Sequence, residues 1–327
     1  MNTPAIFILT ICALSMPVSQ RTAGAPGGGE RTRIIIDSDA NNELDDQHAI
    51  AYVLLNPGTF DVEGITVNKT FGGGSIREQA EEAERVVKLC GRSPGVGVYE
   101  GATGGFREIR GNLDRQSFDG SAAVNFIIER AEARDSRPLV ILAIGKLTNV
   151  GLALVRHPAI GKRIRIVWLG SNYPDPGEYN FENDTAAVNY CLGIRVPMEI
   201  ATVRYGASTG TAAVQASVDE IRARMKGKGP RIAQKVTGRH GGEFECFGDY
   251  SIDLFEHVSE KTRSLYDMAA AAIVKNPAWS DAVVIHAPRF QDGRWIEQPA
   301  NPRTIVIREN FDSAKIMRDF YATMDGR

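Results

Sequence analysis

The segment Asp37-Ser38-Asp39-Ala40-Asn41-Asn42-Glu43-Leu44-Asp45-Asp46 packs the carboxylates of Asp37, Asp39, Glu43, Asp45 and Asp46 into one short loop. Their repulsion is costly unless a cation or solvent relieves it, and oxygen-only donors suit a hard ion such as calcium or magnesium. A second reading needs no ion. The loop is then a solvated acidic cap, with Asp45 and Asp46 favourable near the N-terminus of a following helix. An EF-hand also begins Asp-x-Asp-x-Asn, but its required Gly and Glu are replaced by Asn42 and His48, and a strand rather than a helix precedes it. Asp37 and Asp39 also resemble the Asp-x-Asp pair of haloacid-dehalogenase-type phosphatases. In that alternative Asp37 is the nucleophile of a magnesium-dependent reaction, although Asn41 stands where that pattern has Thr or Val.

The elements that must hold these groups are legible on either side. Arg33-Ile34-Ile35-Ile36 reads as a buried strand and Gln47 to Leu55 as a helix, so the carboxylates lie where a strand ends and a helix begins. Open α/β sheets bind ligands at that edge. Strand-like runs at 34–36, 62–67, 96–99, 139–144, 164–169 and 196–200 alternate with helical stretches at 43–55, 75–90, 121–135, 148–157 and 183–192. The alternation predicts an α/β fold, an open, mainly parallel sheet with helices on both faces and a Rossmann-like core. Later, 209–226 and 262–275 read as helices, 227–250 as an irregular Gly-rich flap, 283–286 and 304–308 as strands, and 311–324 as a closing helix.

With 327 residues and 43% hydrophobic content, the chain is long enough for one large α/β domain. A net charge of −2 and the lack of a basic run argue against a nucleic-acid partner or an acidic membrane surface. Residues 1–25 resemble a signal peptide, with an apolar core too short to span a bilayer and Ala23-Gly24-Ala25 as cleavage site; 26–30 form a linker and 31–327 a single domain. The expectation is an exported protein, periplasmic or secreted, with no membrane segment in its mature form. Cys90, Cys191 and Cys246 are too widely spaced for a disulfide framework or a zinc site, and Cys90 and Cys191 are expected to be buried.

Four further stretches complete a pattern: Gly145-Lys146-Leu147-Thr148-Asn149, Gly170-Ser171-Asn172, Glu178-Tyr179-Asn180 and Tyr266-Asp267. With the acidic loop, their order and spacing resemble the nucleoside hydrolase family of the inosine–uridine-preferring type, from about Arg33 to the closing helix. The resemblance implies a Ca2+ ion at the carboxyl edge of the sheet and hydrolysis of a ribonucleoside N-glycosidic bond, giving free base and ribose. It also implies a small-molecule nucleoside partner and a homodimer or homotetramer. By position, Asp39 would be metal ligand and general base, Asp46 a second ligand, and the backbone carbonyl of Thr148 and the carboxylate of Asp267 would complete the set. Asn172, Glu178 and Asn180 would hold the ribose hydroxyls, with Asp45 helping; Asn68 matches a sugar-contacting position loosely. Asp37 would brace the loop.

Two departures stand out. The acidic loop has five residues between Asp39 and Asp45, so Asn41, Asn42 or Glu43 can reach the site, and Tyr266 stands where many members have the His that protonates the leaving base. His240 on the flap is the candidate substitute acid, swinging in on closure. A protein that binds ribose or nucleosides without turning them over is the alternative reading of the same residues.

Overall fold

The structure, a computed structural model, describes residues 30–326. The leader segment and residues 26–29 of the linker lie outside the described residues. The first part of the sheet takes β1 (Thr32–Ser38), β2 (Phe60–Val67), β3 (Val98–Glu100), β4 (Leu139–Ala143), β5 (Ile164–Leu169) and β6 (Met198–Ala201). Between and after these strands run α1 (Leu44–Leu54), α2 (Ile76–Leu89), α3 (Phe106–Ile109), α4 (Ser121–Glu132), α5 (Thr148–Arg156), α6 (Tyr179–Asn183) and α7 (Thr185–Gly193).

The later chain adds β7 (Gln215–Ser217), α8 (Val218–Met225), the short hairpin β8 (Val236–Thr237) and β9 (Glu243–Phe244), α9 (Phe247–Glu256), β10 (Thr262–Ser264) and α10 (Tyr266–Lys275). It ends with β11 (Asp281–His286), the hairpin β12 (Arg289–Gln291) and β13 (Arg294–Ile296), β14 (Thr304–Glu309) and α11 (Ser313–Met324). The main sheet has 8 strands in the order β11-β14-β6-β5-β4-β1-β2-β3, and only the β11–β14 pairing is antiparallel.

Helices on both faces explain why β1 reads as a continuous apolar run. Ile34 and Ile36 pack into the core on one face with α1, α2 and α10, while Ile35 packs on the other with α4 and α5. Successive side chains of a strand point to opposite faces, so a strand buried on both needs no polar alternation. Cys90 and Cys191 are buried, as expected.

The late chain corrects several expectations. The stretch 209–226 is not one helix but a 3-10 turn, β7 and α8. Likewise 262–275 begins with β10, because Thr262, Arg263 and Ser264 pair with β7 across a long sequence separation. The segment 227–250 holds the β8–β9 hairpin, and its end starts α9. None of the described helices is long and apolar enough to cross a membrane.

Candidate active site

At the carboxyl end of β1 the two aspartates diverge. Asp37 is fully buried, accepting from Thr66 Oγ1 at 2.6 Å, Asn149 Nδ2 at 2.8 Å and Asn68 Nδ2 at 3.4 Å. Burial still outweighs those bonds and lifts its carboxyl to about 6. It braces the loop and does not line the cavity. Asp39 faces a cavity of about 290 Å³, with one oxygen accepting from Thr70 Oγ1 at 2.6 Å. Its carboxyl is raised to about 7, chiefly by burial, with the charges of Asp45 and Glu178 adding to the effect.

Helix α1 then delivers Asp45 and Asp46 from its first turn, and α10 delivers Asp267 from its own. These three carboxylates offer oxygens within 4.8 Å of one another, all buried. Asp46 accepts from Ser38 Oγ at 2.6 Å, and Asp45 from the Asp267 backbone N–H at 3.3 Å. Asp267 Oδ1 has no partner. Burial lifts Asp45 to about 7 and raises Asp46 and Asp267 well above the ordinary carboxylate range, and neighbouring carboxylates push each of them further. An orphaned, buried carboxylate oxygen beside two others is expensive, and a hard cation would satisfy it. The donor set therefore fits such an ion.

Elsewhere in the cavity wall, Glu178 caps α6, accepting from the backbone N–H groups of Ser171 at 2.9 Å, Asn180 at 3.0 Å and Phe181 at 2.8 Å. Burial nevertheless lifts it to about 7. Asn180 donates to the carbonyls of Ile144 and Leu169, both at 3.2 Å. Glu178 and Asn180 line the same cavity as Asp39, Asp45, Asp46 and Asp267.

Four expected residues lie elsewhere. Asn172 is half-buried outside the cavity and accepts the Tyr205 N–H at 3.0 Å, so it positions the rim. Asn68 sits beneath, against Asp37, with its Oδ1 unpartnered. Thr148 turns its hydroxyl to Asp184 at 2.5 Å, and the residue of that turn that lines the cavity is Ile144, at the end of β4. His240, in the β8–β9 turn, stands behind the wall made by Glu43 and Arg263, with Nδ1 3.2 Å from Asp253 and its ring stacked on His257.

Within the lengthened loop, Asn41 bonds outward to the Gly73 carbonyl at 2.9 Å, and Asn42 reaches the cavity beside Tyr179. Glu43, expected to cap α1 or join the carboxylates, makes no capping bond and pairs instead with Arg263. The remaining wall, Tyr179, Val203, Tyr205, Arg263 and Tyr266, includes residues that the linear pattern does not single out. Tyr205 packs edge-on to Tyr266, with ring centroids 6.1 Å apart.

A carboxylate-floored cavity at the C-terminal edge of an open α/β sheet defines a ligand-binding α/β protein whose acidic groups could hold a metal ion. The sequence profile of the inosine-uridine preferring nucleoside hydrolase family matches residues 34–318, and the chain belongs to that family. It is accordingly an N-glycosyl hydrolase acting on nucleosides. No match was found among the curated proteins. Solved structures share the fold. A plant nucleoside hydrolase, the PpNRh1 enzyme, superposes with a TM-score of 0.70 at 17% identity, covering 91% of this chain and 100% of that one. The purine-preferring ribonucleoside hydrolase from Gardnerella vaginalis gives 0.68 at 20%, covering 90% and 98%. The inosine-uridine preferring nucleoside hydrolase from Bacillus anthracis gives 0.64 at 14%, covering 90% and 100%.

Proposed function

We propose that this chain hydrolyses the N-glycosidic bond of ribonucleosides with calcium as its cation, releasing free base and ribose. The observation that carries the reading is the meeting of Asp45, Asp46 and Asp267 beside Asp39, with one carboxylate oxygen left unpartnered. Asp39, Asp46, Asp267 and the backbone carbonyl of Ile144, rather than that of Thr148, would hold the ion. Oxygen donors drawn from separate elements suit the larger, more adaptable coordination of calcium better than the strict octahedron of magnesium. When bound, such a cation lowers the pKa of a water it holds and fixes vicinal hydroxyls.

The chain's own groups do the rest. Asp39 accepts the proton of the attacking water while Thr70 holds its second oxygen in place. Asp45, Glu178 and Asn180 bind the ribose hydroxyls; the carboxylates retain lone pairs beyond their backbone bonds. Their negative charge stabilises the oxocarbenium-like transition state. Burial of the sugar among them sets the line of attack and supplies part of the rate. The base would rest at the rim, against Tyr205, Tyr266 and Arg263. Asp37, locked by three side-chain bonds, is badly placed to act as a phosphatase nucleophile.

The test is a panel of nucleosides and a phosphate ester, each incubated with calcium, with magnesium and with chelator. Ribose release that needs calcium and stops with chelator is expected. Phosphate release, or tight nucleoside binding without turnover, overturns the reading.

A further inference from the structure

We infer that His240, Asp253 and His257 form a second metal site, separate from the carboxylate cluster and suited to a borderline ion of the zinc class. Asp253 and His257 stand one helical turn apart at the end of α9, so their side chains share a face. The β8–β9 turn brings His240 over them; Gly241 and Gly242 follow it with φ of 90° and 74°, left-handed backbone that lets the hairpin fold back.

The spacing suits coordination. His240 Nδ1 lies 3.2 Å from Asp253 Oδ2, whereas His257 Nδ1 donates to the Asp253 backbone carbonyl at 2.8 Å, which leaves Nε2 as the ligand atom of His257. One ligand atom from each of the three residues falls within 4.8 Å of the others. Two donors bound to a tetrahedral ion at zinc distances are roughly 3.3–3.4 Å apart, close to the spacing of His240 and Asp253. The imidazoles are stacked with centroids 4.0 Å apart and planes 22° off parallel. Lone pairs of imidazole nitrogens lie in the ring plane, so one of the stacked rings has to turn for both to meet one ion, and His257 is half-exposed to solvent.

Donor chemistry separates this site from the first. Two imidazoles with one carboxylate select a transition metal or zinc, whereas the oxygen-only cluster selects a hard cation. A cavity of about 300 Å³ beside the pair, also lined by Ser259 and Glu260, leaves room for a water or Glu260 as fourth ligand. That cavity shares Asn42, Glu43 and Arg263 with the catalytic one. An ion here would tie the β8–β9 hairpin to α9, support the shared wall, and keep His240 out of the reaction cavity.

The test uses full-length protein saturated with calcium and titrated with Co2+. One equivalent should develop the intense visible bands of a four-coordinate nitrogen-containing site, and Zn2+ should bleach them. His257→Ala, at a half-exposed position, and Asp253→Asn should each lose the bands while retaining a calcium-raised melting temperature. No bands in the native chain, or bands that persist in either variant, overturn the inference. Hydrogen exchange of the hairpin amides gives a second readout: it should slow when Zn2+ is added to the native chain and stay unchanged in His257→Ala.

Discussion

Asp37 and Asp39 leave the same strand end and do different work because their neighbours differ. Asp37 has three side-chain donors and no cavity, while Asp39 has one donor and faces open space. A group that must accept a proton gains from such incomplete satisfaction, and its loss should be felt in turnover rather than in folding. Asp39→Asn is expected to lower kcat by roughly 10²–10⁴-fold, the usual worth of a positioned base. Steady-state kinetics with the melting temperature measured alongside checks this; a variant with near-native kcat would remove Asp39 from the mechanism. The contrast between the two aspartates was only partly legible beforehand. A bracing role for Asp37 is what the family resemblance implies, but its partners Thr66, Asn68 and Asn149 come from residues far away along the chain.

At the level of elements, the turn after β4 has to pass very close to the acidic loop. A Cβ on Gly145 would fall 2.8 Å from Asn68 Nδ2 and 3.0 Å from Asp39 Oδ1, closer than side chains pack. Gly145→Ala should therefore cost about 1–3 kcal/mol, the usual penalty of overpacking, and lower kcat as Asp39 shifts. Gly58→Ala, whose added Cβ meets nothing within 4 Å, is the control and should leave both unchanged. Equal melting temperatures and equal rates for the two variants would show that the approach is not limiting.

The same scale explains what the sequence concealed. Through β6 most strands and helices are long enough for their own periodicity to reveal them, the short α3 and α6 excepted. Beyond it, β7 and β10 are 3-residue strands that exist because they pair with each other, and no local pattern announces that. Helix α9 does carry a helical spacing, with Phe247, Tyr250, Ser251, Leu254 and Phe255 buried, but a Gly-rich lead-in disguises its start. Rim residues such as Tyr205 and Arg263 are likewise brought to the cavity only by the tertiary fold.

For the molecule as a whole, the buried carboxylates couple folding to both cation and protons. Burial raises Asp39 and Asp45 to about 7 when folded, and it raises Asp46 and Asp267 well above the ordinary range too. In the unfolded chain they return to about 4. Between about pH 4 and 7 the cation-free folded state thus binds more protons than the unfolded one, so its stability falls as pH rises through that window. Calcium takes the deprotonated form, and the stabilisation it confers should grow from about pH 5 to about pH 8. Melting curves with calcium and with chelator across that range test this, and an increment that stays flat or shrinks contradicts it.

The indole of Trp168 is fully buried and donates to the Gly145 carbonyl at 3.1 Å, on the turn that presses against Asp39. The ring therefore sits one hydrogen bond from the backbone that a bound ion would polarise. With Trp279 and Trp295 replaced by Phe, calcium titration should change its emission, and unaltered emission at saturation would show the ring to be insulated from the centre. The enzyme then carries its own optical gauge, through which filling of the cation centre can be timed in the absence of any substrate.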